Sequence, residues 1–161
     1  MKTLTDLFEH QLKDLYSAED QIVNAFPKMV ENATDTKLKE AFESHLSETK
    51  NQKDRLKSIL DTLNIKPSGE KCKAMEGIIK EAEHFIKEDA ADDVKDAGLI
   101  AQAQRVEHYE ITGYGTVIRY AKELGHDDIA SKLQKTLDEE YGADNKLTDM
   151  AEDRLNRKAK S

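Results

Sequence analysis

The sequence is poor in the residues that crosslink a chain or interrupt helices. A single cysteine, Cys72, occurs among 161 residues, which excludes an internal disulfide and an iron site of the rubredoxin type, built on Cys-x-x-Cys. A lone thiol is typical of a reducing compartment. Two prolines and seven glycines leave long stretches in which a helix can continue without interruption.

Long apolar runs and excess positive charge are also missing. The mean hydropathy is -0.78, and the sequence contains no apolar run long enough to predict a membrane span. The N-terminus enters an amphipathic stretch with no apolar secretory segment, so we expect a cytoplasmic protein. The formal net charge of -8 argues against nucleic acid as a partner.

Apolar residues recur at helical spacing almost throughout, which predicts an all-α protein. Short turns join the long helices in two pairs, and a long segment with a short amphipathic helix separates the pairs. This connectivity predicts a ferritin-like four-helix bundle with one long crossover containing a short fifth helix. We predict one domain, residues 1–161, with helices at about 5–31, 35–63, 72–87, 92–124 and 127–157.

The expected helix ends follow from capping chemistry. Thr5 is the candidate N-cap of the first helix, and Thr34 or Asp35 that of the second. Pro27 removes one backbone donor near the end of the first helix and is expected to kink it. The charged end from Arg154 onwards is expected to fray.

Acidic residues occupy the stripes that should be buried. When each residue advances about 100° around the axis, every long helix has at least one acid or histidine within its apolar stripe. His45 lies at the centre of the apolar stripe of the second helix, whereas Glu48 falls about 80° from the midline of that stripe, at its edge. The other acids on the midlines are Glu19, Glu107, Glu110, Glu140 and Asp144.

Buried acids in such numbers predict a metal site. An ionised carboxylate in an apolar interior costs several kcal/mol unless it is paired or coordinated, and no lysine or arginine lies on these midlines. A bundle core lined by carboxylates from facing helices is a known way of holding two metal ions. The alternative is that some of these acids face solvent or a partner chain, because the sequence has 33 aspartates and glutamates.

The two turns provide an independent test of convergence. In an antiparallel hairpin, residues equally far from the turn lie at the same height. Glu19 and Glu48 are nearly equidistant from the turn at Ala33–Asp35. About the turn at Gly125–Asp127, Glu107 is level with Asp144, and Glu110 with Glu140. The acids of each hairpin are therefore expected to meet at one height.

Three glycines lie unexpectedly inside predicted helices close to these acids. Gly113 and Gly115 flank Tyr114, and Gly142 lies between Glu140 and Asp144. Each glycine costs about 1 kcal/mol relative to alanine in a helix interior. They predict either a close approach between helices or a π-bulge beside the site.

Six segments together carry a family resemblance: Leu15–Glu19, His45–Thr49, Cys72–Gly77, Ala103–Ile111, Tyr114–Thr116 and Leu137–Glu140. They resemble the YciE/YciF family of bacterial stress-response proteins, within the ferritin-like superfamily. The resemblance extends over essentially the whole chain and is most specific between Glu107 and Thr116. It implies a ferritin-like bundle, often dimeric, with a di-iron site.

The third long helix resembles the corresponding helix of rubrerythrin-like metal sites. By this resemblance Glu107 would be the bridging and Glu110 a terminal carboxylate. Two departures leave the ligand set open: the usual Glu-x-x-His is replaced by His45-x-x-Glu48 and by Glu140-x-x-x-Asp144. His45 is either a ligand or a hydrogen-bonded core histidine.

Two tyrosines are candidates for hydrogen bonds to the carboxylates. Tyr16 and Tyr114 each lie about one helical turn from an acid. Their alternative role is that of ordinary core aromatics. The histidines outside this set, His10, His84, His108 and His126, are not expected to bind metal.

The function expected from these residues is that of a di-metal carboxylate protein. Oxygen-rich ligands with at most one imidazole suit iron, with two ions expected, or manganese as the alternative. Such a site predicts oxidation of Fe(II) by dioxygen or peroxide, with electrons from Fe(II) itself or an external donor.

A non-enzymatic stress protein with a structural or vestigial metal site is the alternative function. We also expect a homodimer, because the apolar side of the segment from Cys72 to Ile86 must cover either the bundle or a second copy.

Overall fold

The computed structural model describes residues 1–160 and is helical almost throughout. Ser161, the last residue of the predicted domain, lies outside this range. The structure contains the five predicted helices, followed by a π-helical turn and a short sixth helix. The elements are α1 (Leu4–Asn32), α2 (Thr36–Thr62), α3 (Lys73–Ile86), α4 (Asp92–Glu123), α5 (Asp127–Met150), the π-helical turn (Ala151–Leu155) and α6 (Asn156–Ala159).

The first two long helices, α1 and α2, begin at side-chain caps. Thr3, rather than Thr5, caps α1: its hydroxyl accepts from the Asp6 amide at 3.1 Å, and the Asp6 carboxylate accepts from the Thr3 amide at 3.2 Å. This reciprocal capping box places Thr5 inside the first turn of the helix. Asp35 caps α2 by accepting from the amides of Lys37 and Leu38. Of the two residues predicted as the cap of α2, Thr34 and Asp35, the structure uses Asp35.

Two residues with positive φ end α2 and α4. Gly125, at φ 76°, lets the His126 amide bond back to the Ala121 carbonyl at 2.8 Å. Asn64, at φ 56°, allows the same return from Ile65 to Leu60 at 2.9 Å. Both are Schellman endings, in which a left-handed residue satisfies a free carbonyl and turns the chain.

The helices form two antiparallel hairpins that pack into one bundle. The first is α1 with α2, and the second is α4 with α5; α1 packs against α4 and α2 against α5. The crossover from α2 to α4 carries α3, which lies against both α1 and α4. The predicted ferritin-like four-helix bundle with one long crossover is confirmed.

The apolar core is divided into two clusters along the bundle. One includes Ile22, Phe26, Phe42, Leu99, Ala103 and Leu147, together with the buried side of α3. The other includes Leu12, Leu15, Leu56, Ile59, Tyr114, Val117 and Leu133. The predicted acids lie on the stretches of helix between these two clusters, so a polar layer separates two apolar layers.

The apolar side of α3 covers the flank of the bundle. Met75 is fully buried, and Ile78, Ile79 and Phe85 pack against the first core cluster. The apolar side of this segment was expected to cover either the bundle or a second copy of the chain, and it covers the bundle. It therefore gives no support to the expected homodimer. No helix within residues 1–160 combines the length and apolar character that crossing a membrane requires.

The glycines predicted to lie close to the acids have different surroundings. A Cβ atom on Gly113 would lie 2.6 Å from Leu15 Cδ2, so the predicted close approach of α1 and α4 is confirmed there. A Cβ on Gly142 would meet nothing within 4 Å, so close packing is wrong for that residue. Gly113, Gly115 and Gly142 all lie in α-helix rather than in a π-bulge. The π-helical turn occurs instead at Ala151–Leu155.

The C-terminal segment is anchored rather than frayed over its described length. Leu155 is fully buried, and the Arg154 guanidinium pairs with both oxygens of Asp35, with Nη2 at 2.7 Å from Oδ1. The hydrogen bond from Arg154 lowers the pKa of Asp35. This pair joins the end of the chain to the cap of α2, and the predicted fraying from Arg154 is wrong up to residue 160.

Asp96 ties the first hairpin to α4. Its carboxylate is 1% exposed and accepts from the Thr34 amide at 2.8 Å, the Thr34 hydroxyl at 2.6 Å and the Asp35 amide at 2.8 Å. A buried carboxylate is tolerated where several donors converge on it. Asp96 thereby fixes the turn between α1 and α2.

Replacing Asp96 with alanine should lower the free energy of unfolding by about 2–4 kcal/mol, because three hydrogen bonds to a buried, charged acceptor are lost. Urea unfolding monitored by circular dichroism measures this difference. The exposed Asp149 on α5 is the matched control, and Asp149→Ala should change stability by less than about 0.5 kcal/mol. Equal midpoints for Asp96→Ala and wild type would contradict this role for Asp96.

Candidate metal centre

Four buried carboxylates and one histidine meet between the two apolar clusters. Glu107 and Glu110 lie one turn apart on α4, and Glu140 faces them from α5; their exposure is 1%, 0% and 0%. Glu19 on α1 is 0% exposed, and His45 on α2 is 6% exposed. Each long helix therefore contributes at least one side chain.

The candidate ligand atoms are close enough for one cation to touch several of them. One atom each from His45, Glu107, Glu110 and Glu140 lies within 4.8 Å of the others. The predicted convergence of Glu107 and Glu140 is therefore present in the structure. Glu19 extends the group on the side of α1, where its charge acts on the pKa values of Glu107 and Glu110.

Many atoms of this cluster have no hydrogen-bond partner in the protein. They are Glu19 Oε2, His45 Nδ1, Glu107 Oε2, both oxygens of Glu110 and Glu140 Oε2. Buried polar atoms are nearly always satisfied, so a concentration of unsatisfied acceptors in one place needs an explanation. Oxygen atoms and one imidazole are a donor set that suits iron or manganese. The residues present thus fit the predicted metal site.

Burial dominates the ionisation of the acids. It raises the pKa of Glu19 to about 8, raises those of Glu107 and Glu110 well above the ordinary value, and raises that of Glu140. The neighbouring carboxylates add repulsion. Glu107 and Glu140 can hydrogen-bond to each other only when one of them carries a proton, because two ionised carboxylates have no donor between them.

His45 is held beside Glu107 as a neutral ring. Its Nε2 lies 3.3 Å from Glu107 Oε1 and 3.3 Å from the Thr49 hydroxyl, and its ring centroid is 4.9 Å from that of Phe26. Burial lowers the pKa of His45 to about 4. The contact with Glu107 is therefore one between neutral groups rather than an ion pair when no cation is bound.

The two predicted tyrosines have different surroundings. The Tyr114 hydroxyl, fully buried, donates to Glu19 Oε1, which leaves Glu19 Oε2 free of protein partners. Tyr16 is partly exposed, and the Lys53 ammonium lies 5.8 Å from its ring centroid. No hydrogen bond within residues 1–160 joins Tyr16 to a carboxylate of the site, so its predicted role is wrong. Tyr16 is offset from Glu19 by about 60° around α1, towards α2.

Two of the predicted ligands lie at the edge of the cluster. Glu48 is exposed on α2, because it is about 60° around the helix from His45. Asp144 is partly buried, and its oxygens accept from Gln104 at 2.9 Å and lie 3.2 Å from His108 Nε2. The structure does not bring either carboxylate into the buried group. Their metal ligation stays a prediction, and Asp144 acts on the site by raising the pKa of Glu107.

Gln52 is a functional candidate that the sequence analysis missed. It is 1% exposed, and its Nε2 donates to Glu140 Oε1 and, at 3.2 Å, to Glu139 Oε2. Arg55 holds Glu139 through two bonds of 2.9 and 3.1 Å. The signal was available, since Gln52 follows His45 by two helical turns on the same face.

A cleft between α2 and α5 leads to the donors of His45 and Glu107. Its volume is about 250 Å³. We call it the α2–α5 cleft, and its lining residues are Phe26, Ala41, Phe42, Ser44, His45, Glu48, Glu107, Glu139, Gly142, Ala143, Lys146 and Leu147. One side of the metal centre is thus open to small molecules, while Glu19 and Tyr114 close the other.

Residues 3–160 match the protein family Domain of unknown function (DUF892). The chain is 44% identical to Protein YciF of Escherichia coli (strain K12) over 162 aligned residues, covering 100% of this chain and 98% of that protein. The crystal structure of the E. coli stress protein YciF superimposes with a TM-score of 0.93, covering 97% of this chain and 99% of that one.

Two further solved structures are similar. YcfI from Rhodopseudomonas palustris, provisionally described as a structural protein, has a TM-score of 0.89 at 49% identity and covers 92% of this chain and 94% of its own. A protein of Xanthomonas campestris pv. campestris has a TM-score of 0.76 at 19% identity, covering 93% of this chain and 92% of its own, and supports the fold alone.

The stability of the chelator-treated protein should fall as the pH rises from about 5 to about 8. The folded pKa of Glu19 is near 8, above its ordinary 4.5, so the folded state binds more protons than the unfolded state in this interval. Glu110→Gln should flatten the slope, because one group that must stay protonated is removed.

Urea unfolding at several pH values measures this slope. Glu81→Gln, at an exposed position on α3, is the control and should keep the slope of the wild type. Stability that rises with pH in the chelator-treated protein would contradict the assignment of buried, proton-binding acids.

Replacing Gln52 with leucine should weaken Mn(II) binding by about 10–100-fold, because the partner that orients Glu140 is lost. Gln134→Leu, at a partly exposed position on α5 where the side chain bonds Asp138, should leave the dissociation constant unchanged. Titration followed by electron paramagnetic resonance of free Mn(II) measures both. Equal affinities in wild type and Gln52→Leu would remove Gln52 from the site.

Proposed function

The chain belongs to the YciF-type family, Domain of unknown function (DUF892), and we propose that it is a di-metal carboxylate protein that oxidises Fe(II). Dioxygen or peroxide is the proposed oxidant. Two iron ions are the expected cofactor, with manganese as the alternative. The observation that carries the proposal is the buried convergence of His45, Glu107, Glu110 and Glu140.

Charge balance supports two ions rather than one. Four buried carboxylates, Glu19, Glu107, Glu110 and Glu140, carry four negative charges when ionised, and two divalent cations balance them. Without cations, burial forces protons onto these groups. Cations and protons therefore compete for the same carboxylates, so metal binding should release protons.

The protein residues have distinct proposed roles. Glu107 and Glu110 bind from the centre of α4, and Glu140 binds through Oε2 while Gln52 holds Oε1. Tyr114 orients Glu19, and His45 supplies one nitrogen donor at the open side. Bound iron would supply the redox chemistry, while the apolar clusters on both sides limit water.

The α2–α5 cleft gives the oxidant a route to the donors. It ends at His45 and Glu107, and its wall contains Phe26 and Leu147. The single cysteine, Cys72, contacts Tyr109 rather than a residue of the centre, so we propose that the electrons come from Fe(II) itself or from an external donor. We place the protein in the cytoplasm and keep the two-fold homodimer as a proposal that depends on the family resemblance.

A structural protein is the second candidate. The relative from Rhodopseudomonas palustris is provisionally described in that way. In this alternative the acid layer holds metal, or protons, only for stability. Metal content and turnover separate the two functions.

Wild-type protein mixed with Fe(II) and peroxide should oxidise iron faster than buffer, with about two ions bound per chain. Glu107→Ala should abolish both, because a central carboxylate and a negative charge are lost together. Stopped-flow absorbance measures the rate, and iron analysis after desalting measures the stoichiometry.

Glu123→Ala is the matched control for this experiment, since Glu123 is exposed at the end of the same helix. It should behave as the wild type. If wild type and Glu107→Ala both match buffer, the structural function is correct. If both oxidise iron equally fast, the activity lies outside this site.

A further inference from the structure

The α2–α5 cleft is larger than an oxidant requires. Its volume is about 250 Å³, whereas a water molecule occupies about 30 Å³ in the liquid, and peroxide is of the same order. Sites for drug-sized molecules begin at about 300 Å³, so the cleft suits a molecule smaller than those. The cleft thus has room for an organic molecule of modest size beside the metal centre.

We propose that the α2–α5 cleft binds a small, ring-containing organic carboxylate next to the donors of His45 and Glu107. This inference rests on the proposed function, because the cleft reaches the same donors. It goes beyond the proposed function by naming the class of molecule that binds next to the metal centre.

The deep wall of the cleft suits a ring. Phe26 and Phe42 are 3% and 1% exposed and meet edge to face, with ring centroids 5.7 Å apart. Leu147 and Ala41 extend the apolar surface. Buried, mutually packed aromatic side chains present a rigid face, against which another ring can stack or lie edge-on.

Two polar atoms on lining residues lack partners. They are His45 Nδ1 and Glu107 Oε2, and their side chains are 6% and 1% exposed. An apolar pocket with a few unpaired polar groups is the usual arrangement for recognising a small molecule. These unpaired atoms indicate a binding site rather than an incidental gap in side-chain packing.

The mouth of the cleft is kept clear by small residues. Gly142, Ala143 and Ser44 lie there, and a Cβ on Gly142 would meet nothing within 4 Å. Glycine inside a helix costs about 1 kcal/mol relative to alanine, and at Gly142 no close helix approach offsets that cost. An open entrance gives this glycine a function.

The charges at the mouth favour a single negative charge on the ligand. Lys146, exposed on α5, is the one lysine or arginine among the lining residues. Glu139 is already paired with Arg55. Glu48, also at the cleft, disfavours a second negative charge on the ligand. A monocarboxylate with a ring matches this arrangement.

Calorimetric titration of the full chain with benzoate, acetate and benzylamine tests the proposal, with and without bound Mn(II). Benzoate should bind more tightly than acetate, because only benzoate fills the aromatic wall. It should also bind more tightly than benzylamine, whose charge has the wrong sign for Lys146. Tighter binding of benzylamine would overturn the proposed ligand class.

Variants at the mouth locate the binding. Gly142→Leu and Ser44→Leu should each weaken benzoate binding by at least about tenfold, because the added side chains occupy the entrance. Gly77→Leu is the matched control, at an open helical position on α3. Lys146→Gln should weaken binding by about three- to fivefold, as expected for an exposed ion pair, and Lys132→Gln should not.

The outcomes separate the cleft from the metal centre. Benzoate affinity that is equal in wild type, Gly142→Leu and Ser44→Leu would overturn the cleft as its binding site. Mn(II) binding without any benzoate binding would overturn the cleft alone. Benzoate binding without Mn(II) binding would leave the cleft standing and overturn the proposed di-metal function.

Discussion

The structure depends on keeping several carboxylates inside an apolar bundle. Glu19, Glu107, Glu110 and Glu140 are each at most 1% exposed, and a charge in such a place costs several kcal/mol when nothing balances it. Protons or cations must therefore accompany these side chains. Most of the remaining polar features near the centre follow from this requirement, because they either orient the carboxylates or leave one side accessible.

The bundle meets that requirement with layers. Apolar clusters above and below the acids give the folding free energy that a polar layer does not supply. Within the layer, Tyr114 and Gln52 each bond one oxygen of a carboxylate and leave the other without a protein partner. Arg55 is kept at the boundary, on Glu139, so the nearest cation does not neutralise the buried group directly.

Two residues that the sequence predicts for the site, Glu48 and Tyr16, lie outside the buried group for the same reason. Each is offset by about 60° from the inward residue of its helix. Side chains at that angle reach the edge of a bundle rather than its centre. A pattern of acids, histidines and tyrosines does not reveal Gln52, although a neutral amide on the inward face is suited to holding a carboxylate in place.

The sequence by itself determined the helices, their connectivity and the height at which the acids meet. These follow from local periodicity and from turn position, which each segment specifies without its neighbours. Only the tertiary structure decided which acids are buried and which are paired with residues far along the chain. The pairing of Asp144 with Gln104 and His108, the burial of α3 against the bundle, and the open cleft beside Gly142 depend on the rotation and spacing of packed helices. That information is not contained in the period of any single helix.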